Sequence, residues 1–159
     1  MIDLEKIKQR ILAGEEIEEI LKEIDWKEFE ELVASILEQH DFSCVIHFKF
    51  KTKRFYEIDI LAAKNNIILA IDCKKWKRGR YKKTGLKYAV EAQEERVKEL
   101  KKFLRVNKLL AEKLRLKGKL YFLPLIITWF EEDLLKFNKT FIVPIWKFNQ
   151  FLLSISDYV

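Results

Sequence analysis

The sequence predicts an α/β (α+β) fold in which a mixed central β-sheet is flanked by helices. Apolar residues repeat with a helical period up to His40, alternation with a period of two begins at Phe42, and a long helical pattern then precedes further strands. Helices on either side of a group of strands pack onto the faces of a sheet, so we expect the order α-βββ-α-β with an N-terminal helical extension.

Start and stop signals mark the N-terminal helices. The apolar repeat from Asp3 to Ala13 meets Gly14, and the short amphipathic segment "EEIEEILKEI" follows it. Asp25 is then the predicted N-cap of the stronger helix "WKEFEELVASILEQH", with Glu28 placed to complete a capping box. Helices before the first strand are therefore expected to form both the extension and the first layer.

Three strands are expected in a meander. The segments "FSCVIHFKFK", "RFYEIDILAA" and "IILAIDCK" show strand character, and Asn65-Asn66 is the predicted hairpin turn between the last two. Alternation predicts that Glu57, Asp59 and Leu61 share one face of their strand, with Ile58 and Ile60 on the other.

The remainder predicts a long helix from roughly Leu86 to Leu116 ended by Gly118, a strand from Lys119 to Phe130, a short strand "TFIVPI" and the helix "IWKFNQFLLSI". We expect a single domain over residues 1–159, with residues 1–24 as the helical extension, 25–130 as the catalytic core and 131–159 as the C-terminal strand and helix.

Composition narrows the functional classes. A formal net charge of +6 favours a polyanionic partner such as nucleic acid. The N-terminus shows no secretory signal, and the longest apolar run is about half of the ~20 residues that span a bilayer. Cys44 and Cys73 form no CxxC pair, which predicts reduced thiols. We therefore expect a cytoplasmic protein with no membrane partner.

Two carboxylates stand out in the predicted hairpin. Pairing outward from the Asn65-Asn66 turn places Asp59 directly opposite Asp72, where like charges repel unless a cation lies between them. Mg²⁺, with Mn²⁺ as a substitute, takes such oxygen ligands. Lys74 shares the face of Asp72 and would serve an attacking water, although an ordinary salt bridge with either acid also accounts for it.

Other polar residues fall at the edges of apolar patterns. On a helical wheel Glu30 lies at the margin of the apolar stripe, so it either faces inward past the sheet or is a boundary residue. Glu57 would lie opposite Lys74 and form a cross-strand ion pair with it. Gln93, with Arg96 one turn along, falls on the inward face of the long helix and is either an auxiliary site residue or a core amide. His40 and His47 show no metal-ligand spacing, which favours structural or exposed positions.

The segments "FEELVASILEQHDF", "EIDILAA" and "IILAIDCKKW" resemble the PD-(D/E)xK nuclease superfamily, and within it most resemble Mrr-like restriction endonucleases and archaeal Holliday junction resolvases. The resemblance implies a restriction-endonuclease-like core and matches Glu30, Asp59, Asp72 and Lys74 to the motif residues. Ile58 stands where the motif's name has Pro, and Asp72 replaces the more frequent Glu. Asp59, Asp72, the Cys73 carbonyl and Glu30 would hold one or two metals.

A basic segment follows the second acid. It combines cations with aromatic side chains, as a surface that tracks phosphates does, although a solvated loop has the same composition. With the cations of the preceding hairpin turn, the predicted nucleic-acid contacts are Lys75, Trp76, Lys77, Arg78, Arg80, Tyr81, Lys82, Lys83, Lys53 and Arg54.

The sequence thus predicts a Mg²⁺-dependent endonuclease that hydrolyses the phosphodiester bonds of double-stranded or branched DNA. Cutting both strands would suit a symmetric homodimer. Two alternatives stay open: an inactive nucleic-acid-binding module on the same fold, and a structural domain whose acids and lysines form ordinary ion pairs.

Overall fold

The computed structural model of the chain describes residues 3–75, 82–129 and 135–159. These residues form a mixed sheet flanked by helices, as predicted. The strands are β1 (Ser43–Lys51), β2 (Phe55–Lys64), β3 (Ile67–Lys74), β4 (Tyr121–Thr128), β5 (Lys136–Phe137) and β6 (Thr140–Pro144). The helices are α1 (Leu4–Leu12), α2 (Ile17–Lys22), α3 (Trp26–Gln39), α4 (Lys82–Val106), α5 (Lys108–Lys113) and α6 (Ile145–Leu153), followed by a 3-10 turn (Ile155–Tyr158).

The N-terminal helices begin and end at the predicted signals. Asp3 caps α1, and Gly14 follows that helix with a φ of 96°, a conformation that glycine adopts at little cost. Asp25 and Glu28 form a capping box at the start of α3, so two of its first backbone N–H groups are satisfied by its own side chains. None of the helices in the described ranges is both long and apolar enough to cross a membrane.

The sheet has the strand order β1-β2-β3-β4-β6-β5. The first three strands are antiparallel, whereas β3, β4 and β6 run parallel. Asn65, at a φ of 55°, forms the tight turn between β2 and β3, and the register from Lys64–Ile67 to Ile60–Ile71 is the predicted one. Since parallel strands end at a common edge, Asp72 and Lys74 lie where β4 and β6 also finish.

Both faces of the sheet are covered. Helices α3 and α6 pack on one face, against residues such as Ile60, Ile71 and Ile127. Helix α4 packs on the other face, against Ile68 and Ala70 and further along against Ile126. The predicted inward residues of α4 are buried, namely Leu86, Ala89, Val90, Val97, Leu100 and Leu104. We refer to the two sides as the α3 face and the α4 face.

The predicted alternation of β2 is wrong at one point. Ile58 and Leu61 pack together on the α4 face, whereas Ile60 lies on the α3 face, so the side-chain alternation reverses around Asp59. The neighbouring strand reverses at the same level, between Ile46 and Phe48, because His47 has a φ of 54°. The reversal leaves the register unchanged and breaks the regular pleat beside Asp59.

The predicted long helix is also corrected. Helix α4 begins earlier than expected, at Lys82, and ends at Val106, where Asn107 caps the separate helix α5 with its side chain. Helix α5 ends at Lys113, so Gly118, which has a φ of 70°, lies beyond its end and does not terminate a helix. An N-cap side chain that bonds the backbone two or three residues on competes with a continuous helix, which explains the break. The two-residue strand β5 was not predicted.

Candidate active site

The acid pair lies at the point where β2 and β3 separate. A carboxylate oxygen of Asp59, Oδ2, accepts a hydrogen bond of 2.9 Å from the backbone N–H of Cys73, so Asp59 reaches across to the neighbouring strand. Asp72 lies next to this contact on β3, on the α4 face with Ile126 as its parallel neighbour. The structure therefore brings Asp59 and Asp72 together beyond the last paired residues, Ile60 and Ile71.

Asp72 is a buried carboxylate with incomplete bonding. Its residue is 5% exposed, and its Oδ2 has no hydrogen-bond partner among the described residues. Lys74 Nζ lies 3.2 Å from this oxygen in an ion-pair contact. Burial raises the pKa of Asp72 to about 6, although the charge of Lys74 lowers it and the neighbouring Asp59 raises it. The site thus holds a carboxyl group that a further cation would stabilise.

Helix α4 adds a second incompletely bonded group to this face. Gln93 is 0% exposed, and within the described ranges its side-chain Nε2 has no hydrogen-bond partner. Its Oε1 accepts a hydrogen bond of 2.9 Å from Arg96 Nη1, and the charge of Arg96 lowers the pKa of Asp72. Gln93 is therefore buried on the predicted inward face and linked electrostatically to the acid pair through Arg96.

Glu30 is buried on the α3 face, at 1% exposure, so the inward position suggested by the helical wheel is correct. Its two oxygens are bonded to different partners: Trp26 Nε1 donates to Oε1 at 2.6 Å, and His47 Nε2 lies 2.7 Å from Oε2. Burial raises the pKa of Glu30, against the effects of the Trp26 hydrogen bond and the charge of His47, and the charge of Asp59 raises it further. Glu30 therefore lies near Asp59 but is already held by two side chains.

His47 joins two carboxylates, a role that the sequence pattern did not reveal. Its Nε2 contacts Glu30, and its Nδ1 lies 2.7 Å from Glu57 Oε1. Glu57, which we expected to pair with Lys74, is thus bonded to β1 instead. The pairing of β1 with β2 could have indicated this role, because the register places His47 beside Asp59 on the neighbouring strand.

The contacts of His47 predict a pH-dependent stability. The hydrogen bond with Glu57 raises the pKa of His47 above its usual value of 6.5, and burial lowers the pKa by less. Protonated His47 therefore stabilises the folded protein fully at pH values below 6.5. This stabilisation is lost as the pH rises through the raised pKa of His47. We expect His47→Gln to be less stable than wild type at about pH 6, with a smaller difference at about pH 9. Chemical denaturation at both pH values measures this.

The matched control for this prediction is His40→Gln, because His40 bonds the neutral Asn149 rather than a carboxylate. The difference in unfolding free energy between His40→Gln and wild type should not become smaller from about pH 6 to about pH 9. A His47→Gln difference that stays constant or grows toward pH 9 would contradict the role assigned to the charged imidazole.

The predicted nucleic-acid contacts have different surroundings. Lys53 Nζ lies 2.9 Å from Glu95 Oε1, the Arg54 guanidinium lies over the Tyr56 ring, and Lys75 donates to the Ile24 carbonyl while lying over Trp129. Lys83 is exposed near the start of α4. The side chain of Lys82 is outside the description, and so are the residues Trp76, Lys77, Arg78, Arg80 and Tyr81.

The donor atoms of the acid pair suit a hard divalent cation. Asp59 and Asp72 supply carboxylate oxygens, and Asp72 Oδ2, which lies 3.2 Å from Lys74 Nζ, has no hydrogen-bond partner among the described residues. Across the ranges that the structure describes, no three His, Cys, Asp or Glu side chains converge as a metal-binding group. The fit therefore rests on two carboxylates with a backbone carbonyl, such as that of Cys73, to complete the set.

A mixed sheet in this order, with helices on both faces, is consistent with the restriction-endonuclease-like fold. Residues 21–108 match the family model Mrr_cat, described as restriction endonuclease. The match spans more than half of the chain, from the end of α2 through α4 to the first residue of α5. The chain therefore belongs to the Mrr_cat restriction endonuclease family.

Two further proteins are similar to the chain. An uncharacterized protein of Archaeoglobus fulgidus (strain ATCC 49558 / DSM 4304 / JCM 9628 / NBRC 100126 / VC-16) is 29% identical over 135 residues, which cover 84% of this chain and 94% of that protein. A crystal structure of a protein of unknown function is 22% identical with a TM-score of 0.35, and the match covers 76% of this chain. The chain spans about half, 51%, of that solved structure.

Proposed function

We propose that the protein is a metal-dependent endonuclease that hydrolyses phosphodiester bonds of DNA. The observation that carries the proposal is the buried Asp72, held next to Asp59 and 3.2 Å from Lys74 at the end of β3. Membership of a restriction endonuclease family supports the same reaction class, since nucleases of the PD-(D/E)xK type typically use divalent metals.

Asp59 and Asp72 would hold the metal, together with the Cys73 carbonyl. A bound divalent cation supplies an activated water and neutralises charge that builds on the phosphate. The Cys73 N–H fixes one oxygen of Asp59, Oδ2, so the Asp59 carboxylate is held beside β3. Because Asp72 is buried and incompletely bonded, its carboxylate gains more from a cation than an exposed one would.

Lys74 would orient the attacking water and donate to the phosphate oxygens. It lies on the α4 face with Asp72, and its side chain is 25% exposed, so its ammonium can meet both the acid and a substrate. Gln93 would assist from α4 with its unpartnered Nε2. Glu30, held by Trp26 and His47, would act on the metal through a water.

The net charge of +6 and the basic segment that follows β3 support DNA as the substrate. In the sequence this basic segment follows directly on β3, whose last residues include Asp72 and Lys74, so its cations would bring the phosphate backbone to the acids. This arrangement predicts that binding weakens steeply with salt, since each phosphate contact releases counterions.

The test incubates the protein with supercoiled plasmid, branched DNA and single-stranded DNA in the presence of Mg²⁺ or Mn²⁺. We expect cleavage that EDTA abolishes and that excess Mg²⁺ restores, because the acid pair needs a cation to act. A protein carrying Asp72→Asn, purified in the same way, is the control for contaminating nucleases. Equal cleavage by both proteins, or cleavage that persists in EDTA, would contradict the proposal.

A second candidate is a binding module that has the same fold and no catalysis. The observation that favours it is that no group of three metal-binding side chains converges within the described ranges. Salt-sensitive DNA binding without cleavage of any of the three substrates would select this function.

A further inference from the structure

We propose that an exposed face of the β1–β2 hairpin binds an unpaired nucleotide of the DNA, with the base stacked on the ring of Phe55. We call this surface the hairpin face and define it by Lys49, Lys51 and Phe55. The inference rests on the proposed function for its substrate, DNA, and adds the substrate's structure: a strand with at least one unpaired base near the cleaved bond.

Phe55 is an exposed aromatic side chain that belongs to none of the hydrophobic core clusters of the described residues. It is 75% exposed, and it is the sole phenylalanine among the exposed large hydrophobic residues of the described ranges. Its neighbours Tyr56 and Ile58 are buried on the α4 face and anchor the strand there. The sheet is therefore held firmly on one side while Phe55 presents its ring to solvent on the other.

The hairpin face lies on the α3 face of the sheet, as Glu30 does, whereas Asp72 and Lys74 lie on the α4 face. Phe48 and Phe50 pack on the α4 face of β1, so the alternating Lys49 and Lys51 lie on the α3 face, as Phe55 and Glu57 do on β2. The core contacts of α3 begin at Ile60, so α3 leaves this end of the hairpin uncovered. Phe55 lies four residues from Asp59, or about 13 Å at about 3.3 Å per strand residue.

That separation fits a nucleic-acid strand. It equals the axial rise of about four stacked nucleotides at about 3.4 Å each, so a strand bound at Phe55 on the α3 face can reach Asp59, where β2 and β3 separate. Lys51 is the cross-strand partner of Phe55, and its ammonium lies 5.1 Å from the ring centroid. The ammonium lies over one face of the ring, so a base would stack on the other face, with the Lys51 charge near its phosphate.

Charge separates the hairpin face from the turn that follows it. Lys49 and Lys51 are exposed on the hairpin face, whereas Lys53 at the turn is 2.9 Å from Glu95 and contacts Glu99 as well. His47 offsets the nearest acid on the face, Glu57. Two lysines next to an exposed aromatic ring are complementary to a polyanion that carries flat apolar groups, which describes a nucleic-acid strand.

The ring can stack only on a base whose own face is uncovered. In an intact duplex each base is covered by its neighbours, so stacking on Phe55 requires an unpaired base, as in a gap, a flap, a junction or a strand end. This points to discontinuous or branched DNA as the preferred substrate class, rather than continuous duplex.

The experiment measures binding in EDTA, so that cleavage does not enter. The probe is a DNA duplex with a short single-stranded gap that contains 2-aminopurine, whose fluorescence falls when it stacks on an aromatic ring. We expect Phe55→Ala and Phe55→Leu to abolish the fluorescence change and to weaken binding by between about 5-fold and about 100-fold. Phe55→Trp should retain both, and continuous duplex should bind equally to all four proteins.

The lysines have a separate readout. The double variant Lys49→Gln, Lys51→Gln should lower the salt slope of gapped-DNA binding by about 1.4, at about 0.7 for each phosphate contact to a single strand. The matched control is the double variant Lys108→Gln, Lys113→Gln, which changes two exposed lysines on α5. Helix α5 follows the end of α4, and that end of α4 packs near the start of β4. Its slope for gapped DNA should stay that of wild type.

Three outcomes would overturn the inference: unchanged fluorescence and affinity in Phe55→Ala, an equal loss of affinity for continuous duplex, or a change of oligomeric state in Phe55→Ala without a change in DNA binding. The last outcome would make the hairpin face a contact between copies of the chain. Because binding is measured without metal, a protein that never cleaves DNA can still show the expected result, and an active nuclease can fail to show it. The two proposals are thus tested separately.

Discussion

Replacing Asp72 with asparagine is expected to lower DNA cleavage by at least about 100-fold while leaving the melting temperature unchanged or raising it. Asparagine has almost the same shape but no charge, so a metal would lose a ligand. Burial raises the pKa of Asp72 to about 6, which means that the folded protein disfavours its charged form relative to the unfolded chain. The neutral side chain removes that penalty and the repulsion with Asp59 as well.

The pH dependence sharpens this prediction. A carboxyl group whose pKa is raised on folding destabilises the folded state at pH values above its raised pKa, and the penalty disappears below its unfolded value of 3.8. The stability gain of Asp72→Asn should therefore be present at about pH 7.5 and absent at about pH 3.5. Thermal melts at both pH values, with plasmid cleavage measured at the higher one, give the result.

A large loss of stability in Asp72→Asn would instead show that Asp72 is one half of a structural ion pair. The comparison variant is Glu99→Gln, which removes another buried carboxylate, at 1% exposure. Hydrogen bonding by Thr52 lowers the pKa of Glu99, so its charged form is favoured in the fold and the variant should lose stability at neutral pH. Glu99→Gln should thus lower the melting temperature at neutral pH, whereas Asp72→Asn should raise it or leave it unchanged.

Local rules explain why the sequence located the acid pair. The Asn65-Asn66 turn determines the register of β2 and β3, and every pair from Lys64–Ile67 to Ile60–Ile71 follows from it. The alternation of side chains along β3 likewise places Asp72 and Lys74 on one face of the sheet. These features depend on residues close in sequence, which is where propensity and periodicity carry information.

The surroundings of the acids depend on contacts that sequence spacing does not encode. The reversal around Asp59 requires a positive φ at His47, and "VIHFKF" reads as regular alternation because a non-glycine residue rarely adopts that conformation. Lys53 stays a predicted DNA contact, but its spacing did not indicate that α4 supplies Glu95 as an ion-pair partner from 42 residues away in the chain, from position 53 to position 95. Tertiary packing decides both cases.

The break between α4 and α5 shows the same limit at a helix end. Asn107 is a residue with good N-cap character, yet the apolar repeat continues past it, and the repeat predicted one helix. Leu110 of α5 and Leu114, the residue after its end, pack against the α4-face core, which agrees with a separate helix that begins at the Asn107 cap. Two competing local signals were present, and packing selected between them.

The second large effect is expected at Lys74. Lys74→Met should lower cleavage by at least about 100-fold, as Asp72→Asn does, but should destabilise the protein by about 1–3 kcal/mol. Methionine keeps an apolar side chain of similar length while removing the ammonium 3.2 Å from Asp72 Oδ2. The buried carboxylate then keeps its charge with less compensation, which costs folding free energy. Urea denaturation and plasmid cleavage measure the two effects.

The double variant separates catalysis from stability at this pair. If Lys74 stabilises the fold by offsetting the charge of Asp72, then Lys74→Met should hardly change the free energy of unfolding in a protein that already carries Asp72→Asn. The double variant should therefore be about as stable as Asp72→Asn alone. Cleavage should remain lost, because neither the ligand nor the ammonium is restored. Additive stability losses would show that Lys74 acts on the fold independently of Asp72, and recovered cleavage would exclude both residues from the reaction.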